Sequence, residues 1–593
     1  MSPQETYTAR NTALQQQVTQ ARNRLQLLGW IRLFCFVGMI ICAYRYVADN
    51  FAAIWWLPIG ILLVVFMYAL AKYQKVKDHL QLQQTLQDLN EKELHLQTTN
   101  ESRFEAGNDF ADDQHSFGQD LDVFGPASLY QHINRTGTLM GRQELAGMLQ
   151  APLQETAAIL DMQAVVKELA PRLEFRQLLT AQAILAGETP ADRRELQAWL
   201  QMPLDFINKR WLQVISWLSP ACLVACIFLY LYTNHYYPAT IFLIINWLVL
   251  GSQSKKMLVQ HRQLDSKEKV LRKFATLLHL IKQEPFRDAA LLKARQEEAT
   301  AADVALIRLA RISNAFDQSL NLIVSTFLNS ILLYSVHCMF NLEKWKARYQ
   351  HQVQGWLKII ARMEAWNSLA TFAYNHPAYI FPKVADQPVG LQGQEIGHPL
   401  IPAAECVTNG ISIGHPQQFL IITGSNMSGK STFLRSVGSN LLLGMCGAPV
   451  CAGSFEFTPM RIMTSMRIKD SIARHTSYFQ AELLRLQQIV EALKNGEQVF
   501  ILLDEILKGT NSADKLTGSR QLITHLLQYN CRGMIATHDL ELGALEQAYP
   551  DLIKNYCFES TIEDDHLYFD YRIREGIAHN KNATFLMQQM GII

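Results

Sequence analysis

The stretch from Phe51 to Ala71 contains no charged residue. As a helix it is about long enough to cross a bilayer, and so long an uncharged run leaves few other places for it in a fold. Leu28 to Val47 precedes it, apolar apart from Arg32 and Arg45, which lie near its ends where long side chains reach the interfaces. Only Ala48, Asp49 and Asn50 separate the two runs, so they read as a transmembrane hairpin. A cleaved signal peptide would have a shorter apolar region, closer to the start and without a second run behind it. Trp211 to Thr233 is a further uncharged run with interface-type aromatics at Trp211, Trp217, Tyr230 and Tyr232, and Pro238 to Gln253 follows as a shorter one. These two read as a second hairpin; the competing reading is a hairpin buried in a soluble core.

Lys/Arg bias gives the orientation. Arg10, Arg22 and Arg24 precede the first run, Lys72, Lys75 and Lys77 follow the second, Lys209 and Arg210 precede the third, and Lys255 and Lys256 follow the fourth, while the connecting turns carry neither residue. The expectation is a multi-pass protein of the cytoplasmic membrane with four spans and both termini in the cytoplasm. Ser319 to Phe340 is also charge-free, but a fifth crossing would put everything after it outside, and it carries Ser, Asn, Thr and His at frequent intervals. It is expected as a buried helix of a soluble bundle.

Charge is balanced, with 54 Lys+Arg against 53 Asp+Glu, so nothing global favours a polyanionic partner. The ten cysteines are scattered without a C-x-x-C pair, which fits reduced, packed thiols better than a disulfide or zinc framework.

Between the hairpins the pattern is mainly helical. Residues 74–99 read as an amphipathic helix, and Glu101 to Gly118 as a solvated linker. In NRTGT followed by GRQEL, from Asn134, a turn caps a helix. Trp345, Trp356 and Trp366 are expected to fill a core rather than stack on bases. From Gln394 the texture becomes α/β, with β-rich runs at 417–423, 498–503 and 533–536.

Within this last part, Gly424, Ser425, Asn426, Met427, Ser428, Gly429, Lys430 and Ser431 fit the spacing G-x-x-x-x-G-K-[ST], after an apolar run and before a helix-like segment that begins with Thr432. Such a loop wraps phosphates with backbone N–H groups and presents a helix N-terminus to them. Lys430 would reach the β- and γ-phosphates of ATP, and Ser431 would hold Mg²⁺. Farther on, Val499 to Leu503 reads as a buried strand ending in Asp504 and Glu505. The first acid is placed to bind Mg²⁺ through water and the second to deprotonate the attacking water. A later strand delivers His538, which can sense the γ-phosphate.

From Gly397 onward the chain resembles the ATPase domain of the MutS mismatch-repair family, a branch of the ABC-type ATPases. The resemblance rests on His398, Pro399 and Leu400, on TGSNMSGKSTFLRSVG at 423–438, SYFQAEL at 477–483, DEILKGTNSAD at 504–514 and ATHDLEL at 536–542, and on a closing YRIREG from Tyr571 with a last helix around 583–590. LDVFGPASLYQHINRTGTLMGRQELAGMLQAPL, from Leu121, resembles the family's helical core more weakly. The resemblance implies a homodimer with ATP sites shared across the interface. Ser477 would reach the γ-phosphate bound by the partner, Asn511, Ser512 and Asp514 would line the interface, and Asn426 would contact the phosphates. Ser425 and Ser428 replace the usual Pro and Gly, and Lys508 a common Arg. No mismatch-reading domain or Phe-x-Glu wedge is found ahead of the core.

The expected architecture is multidomain: a cytoplasmic N-terminal helix (1–27), transmembrane hairpin 1 (28–73), an amphipathic helix and linker (74–118), a mainly-α MutS-like core in two parts (119–205 and 254–390) around transmembrane hairpin 2 (211–253), and a C-terminal α/β P-loop ATPase domain with a dimerisation helix (391–593). The expected function is a membrane-anchored, Mg²⁺-dependent ATPase, with duplex DNA binding or a repair role implied by resemblance alone. Two readings compete with it: an ABC-type ATPase serving a transport or remodelling process without DNA, and a scaffold with a structural nucleotide. The second hairpin interrupts the region where the family carries its DNA clamp, so it is expected to take the clamp's place.

Overall fold

The apolar runs of the first hairpin are segments of much longer helices in the computed structural model, which describes residues 2–318, 322–386, 389–467, 478–508, 511–529, 531–563 and 566–579. Helix Pro3–Ala48 opens with a capping box between Ser2 and Glu5 and runs 46 residues, about 69 Å at the standard rise. Helix Trp56–Thr99 returns beside it over 44 residues. The expected boundaries at 27/28 and 73/74 therefore fall inside unbroken helices. Along the apolar stretches Trp30, Phe34, Ile54 and Leu57 lie exposed, the arrangement of a surface that faces lipid rather than water. Among the described residues three helices are long and apolar enough to cross a membrane: Pro3–Ala48, Ala53–Thr99 and Arg210–Thr233.

The polar halves of these helices pack on the helical body. Tyr7 donates its hydroxyl to Asn375 Oδ1 at 2.8 Å, and Asn375 Nδ2 donates to Glu93 Oε2 at 2.9 Å. Glu93 is also paired with Arg135 through two nitrogens, and both side chains are buried. Arg135 donates further to the His132 and Asn134 carbonyls and lies on the Phe104 ring, so the buried charge is fully engaged.

The second hairpin, Arg210–Thr233 and Tyr237–Gln283, projects exposed apolar residues such as Trp217, Leu231 and Tyr232. It contains Pro220 in mid-helix. A proline has no N–H for the carbonyl four residues earlier, here Ser216, and His337 supplies the missing donor, Nε2 to Ser216 O at 2.9 Å. Nearby, Ser219 donates to Asn246 Oδ1, and Asn246 Nδ2 donates to Ser330 O, both at 2.7 Å.

His337 and Ser330 belong to the segment expected as one buried bundle helix. Its first residues, 319–321, lie outside the described residues, and the rest forms two helices, Leu322–Leu332 and Tyr334–Tyr349, broken at Leu333 in the left-handed region. The first packs on the second hairpin, with Phe327 exposed, and the second enters the soluble body. The expectation of a single soluble-core helix is corrected accordingly: the polar residues at frequent intervals are what dock the segment on the hairpin.

The expected linker is ordered as well. Ser102 donates to Gln131 O, Gln131 returns a bond to Phe104 O, Phe117 is buried, and Ser116 O accepts from Thr464. Just beyond it, the Asp120 carboxylate accepts from Thr464 Oγ1, Met466 N and Arg467 N at 2.5, 3.1 and 2.7 Å. The strap from 101 to 122 thus ties the helical body to the α/β part. As expected, Thr138 caps helix Leu139–Gln150. Trp345, Trp356 and Trp366 are buried in the body, where Trp345 stacks on Trp199.

Among the described residues ten strands follow: β1 Lys383–Val384, β2 Leu391–Ile396, β3 Asn409–Ile413, β4 Phe419–Gly424, β5 Ser454–Phe457, β6 Arg461–Ser465, β7 Val499–Asp504, β8 Cys531–Thr537, β9 Ile553–Glu563 and β10 His566–Glu575. A small sheet has the order β1-β5-β2-β3, and the main sheet β10-β9-β4-β8-β7-β6, parallel except for β10. Strands β4, β7 and β8 are mostly apolar and buried apart from Asp504 at the end of β7, as central parallel strands with both faces covered must be. One face of the sheet joins the apolar core of the helical body. β4, β7 and β8, neighbours and parallel, end at one edge, which brings their following loops together.

Candidate nucleotide site

The loop after β4 closes over the start of helix Lys430–Met445, with Gly429 as N-cap at φ 99°, a conformation costly for residues with a Cβ. The Lys430 ammonium turns back across the loop and donates to the carbonyls of Gly424 and Ser425, both at 2.8 Å. Burial lowers its pKa, while Glu505 and Asp504 work against the shift. Asn426, Met427, Ser428, Gly429, Lys430, Ser431 and Thr432 line a cavity of about 740 Å³.

β7 delivers the two acids to the same cavity. Asp504 is raised by burial, and a hydrogen bond from Ser431 and the Lys508 charge oppose the rise. The pairing of Ser431 with Asp504 places a hydroxyl and a carboxylate oxygen together, the hard donors that suit Mg²⁺. Glu505 is bracketed by two bases: His538 Nδ1 lies 3.3 Å from Oε1 and Lys508 Nζ 3.3 Å from Oε2. Burial pushes Glu505 up, but Lys508 and His538 outweigh it, and its pKa lies below the usual glutamate range. It is therefore a carboxylate at neutral pH.

Ser428 Oγ is buried and has no partner among the described residues. An orphaned hydroxyl, an ammonium folded over loop carbonyls and a Ser–Asp pair at one helix N-terminus fit a phosphate with its metal. Met427, Glu505 and Tyr571, which line the cavity, and Leu507 beside it have left-handed backbones without being glycine. Each such conformation costs on the order of 1–3 kcal/mol and persists where surrounding structure enforces it.

The other expected residues are distributed unevenly. His538 reaches the cavity through Glu505, and Lys515 Nζ lies 3.3 Å from His538 Nε2. Asn511 caps helix Ser512–Leu526 by accepting from Asp514 N, and donates to the Asp514 carboxylate. Ser477 and the last helix at 583–590 lie outside the described residues, as does the Ser512 side chain.

Other residues complete the cavity wall. His398, Pro402 and Cys406 come from the loop between β2 and β3, Asn409 from β3, and Phe558 and Tyr571 from β9 and β10 beside the phosphate loop; of these only His398 and Tyr571 fall in runs the sequence singled out. Buried His398 has its pKa lowered to about 4 by burial and by the Arg435 charge, and its Nδ1 accepts from Leu400 N. Glu482 is buried and accepts from Leu507 N at 2.6 Å, fastening the loop after Glu505 to helix Tyr478–Lys494. Its place in the SYFQAEL run was visible, but not that contact.

Comparison with known proteins adds to this geometry. Residues 420–589 match the family model MutS domain V. By this match the α/β part of the chain carries a MutS domain V. DNA mismatch repair protein MutS of Thermotoga petrophila is 31% identical over 240 residues, 40% of this chain and 30% of that protein. DNA mismatch repair protein MutS 2 of Halobacterium salinarum is 30% identical over 250 residues, 42% of this chain and 28% of that protein. The MutS of Chloroflexus aurantiacus is 30% identical over 241 residues, 39% and 24% of the two chains. The chain thus spans at most 30% of the length of these relatives, and the family-model match at 420–589 falls on the α/β part.

Proposed function

We propose that this protein is a membrane-anchored MutS-family ATPase that binds and hydrolyses ATP at sites shared by two copies of the chain, with its four apolar runs as spans and its ATPase domain in the cytoplasm. The observation that carries the reading is the convergence of Lys430, Ser431, Asp504 and Glu505 on one cavity beneath a helix N-terminus. Lys430 leaves the Gly424 and Ser425 carbonyls for the β- and γ-phosphates. Ser431 and, through water, Asp504 hold Mg²⁺, which supplies charge neutralisation on the phosphates when bound. Glu505, kept ionised by Lys508 and His538, orients the attacking water and takes its proton. Ser477 of the second copy completes the γ-phosphate site, with Asn511, Ser512 and Asp514 at the interface.

Duplex DNA is the partner that the names of the relatives suggest, and DNA binding belongs to this reading as a mismatch-repair-related role. A membrane process without DNA has its own support: the hairpin halves of Arg210–Thr233 and Tyr237–Gln283 expose apolar residues such as Trp217, Leu231, Ile244 and Leu248, and the second helix continues from the hairpin into the core of the helical body. Nucleotide binding and turnover by the detergent-solubilised protein test the site. Lys430→Ala is expected to abolish ATP binding, while Glu505→Gln is expected to bind ATP and slow hydrolysis by about 100-fold or more. Wild-type turnover in the Glu505 variant would remove it as the base. Salt-dependent binding of a DNA duplex by the same preparation separates the DNA role from ATPase activity stimulated by lipid alone.

A further inference from the structure

The wall of the nucleotide cavity holds a chemical feature that hydrolysis does not use. Cys406 belongs to the loop that lines the cavity with Pro402 and Val407, and Cys451 to the turn between helix Lys430–Met445 and β5. Each thiol perturbs the titration of the other, Cys406 downward and Cys451 upward. Both sulfurs crowd the same point: a Cβ built on Gly397 would lie 2.7 Å from Cys406 Sγ and 2.9 Å from Cys451 Sγ. A larger residue at 397 would wedge the sulfurs, so the close approach depends on glycine.

The two cysteines, both half-buried, differ in their backbone setting and in chemistry. Cys451 is built into a frame with the phosphate-loop helix: its N–H donates to Asn440 Oδ1, Asn440 Nδ2 donates to Gly397 O and Ser436 O, and Gly397 N–H donates to Cys451 O. The Tyr379 hydroxyl acts on Cys451 as well. Cys406 sits on the cavity-side loop. The Cys451 side chain, followed by burial in opposition and the His398 backbone in support, holds its thiol down to about 6. Cys451 is pushed up by the Cys406 side chain and by burial. The cavity-side member is thus the nucleophilic thiolate and the framed member the protonated resolving thiol.

We propose that Cys406 and Cys451 are a redox-responsive pair whose disulfide draws the cavity-side loop onto the frame of the phosphate-loop helix and weakens nucleotide binding; this inference rests on the nucleotide reading of the cavity. With a small-molecule disulfide as oxidant, the Cys406 thiolate attacks one sulfur, forming a mixed disulfide and releasing one thiolate. The Cys451 thiol then gives up its proton and attacks Cys406 Sγ, expelling the second small thiolate, which takes that proton. The protein dithiol loses two electrons, and one small disulfide is reduced to two thiols. A pair of this kind would stay reduced in ordinary cytoplasm and close under oxidative load.

The test uses the full-length protein in detergent, reduced or equilibrated with glutathione disulfide, followed by alkylation of free thiols, peptide mass spectrometry and titration with a fluorescent ATP analogue. The expected result is a linked Cys406–Cys451 peptide pair and about tenfold weaker binding, reversed by dithiothreitol, whereas Cys451→Ser gives no linked pair and retains a glutathione mixed disulfide on Cys406. Free alkylation of both thiols after oxidant treatment would overturn the pair, and a linked pair with unchanged affinity would overturn its regulatory role. A reduced protein that fails to bind the analogue would instead refute the nucleotide reading, and the regulatory role with it; the linked peptide would still report whether the thiols react.

Discussion

The first hairpin meets the body through its polar continuation, far from its apolar stretch, whereas the second meets it inside the apolar stretch itself. In the first, Tyr7, Glu93, Arg135 and Asn375 form a buried, fully engaged network. In the second, His337 caps the carbonyl that Pro220 leaves without a donor, and Asn246 links Ser219 to Ser330. A charged network locks one arrangement, because opening it strands a buried charge. Neutral bonds at a helix break hold a joint that can shift for a smaller penalty. The first hairpin is thus held by the network that is costlier to open, while the second is joined to the body by neutral bonds and by a helix that continues directly into it.

The largest expected effect comes from breaking the charged network. Glu93→Ala leaves the Arg135 guanidinium buried without its carboxylate and should cost about 3–5 kcal/mol, read as a lower thermal midpoint and faster proteolysis of the first helix before Ala21. His337→Ala should cost less, about 1–3 kcal/mol, by leaving Ser216 O unsatisfied in an apolar setting. Pro220→Ala gives that carbonyl an intrahelical donor, so in its background the His337 substitution should cost about 1 kcal/mol less than alone. Strictly additive midpoints would show that His337 does not serve the proline break.

What the sequence made legible follows from how local each signal is. The phosphate loop, the strand ending in Asp504 and Glu505, and the strand delivering His538 each announce themselves within a few residues, and the parallel sheet brings them together. Hydropathy marked the hairpins and periodicity the helices at 1–27 and 74–99, but not that each runs unbroken into its span, since a helix propagates through polar residues without an apolar signal. The break at Leu333 was hidden because a short apolar run with scattered polar residues suits either a core helix or a segment docked on a hairpin. The linker was misjudged from its polarity: the Ser102 hydroxyl binds the body and the Ser116 backbone carbonyl binds β6. His398, Glu482 and Tyr571 lie in runs the sequence singled out, but their contacts, like those of Cys406 and Lys515, join distant segments and have no short-range pattern.

The central claim is that nucleotide-driven closure moves the second hairpin against the first. Spin labels at the two hairpin tips, Asn50 and Asn234, in Glu505→Gln protein reconstituted in lipid nanodiscs would report it as a distance distribution. The account predicts a shift of several ångströms between the nucleotide-free and ATP-bound states, absent in Lys430→Ala. An unchanged distribution in protein shown to have ATP bound would contradict it.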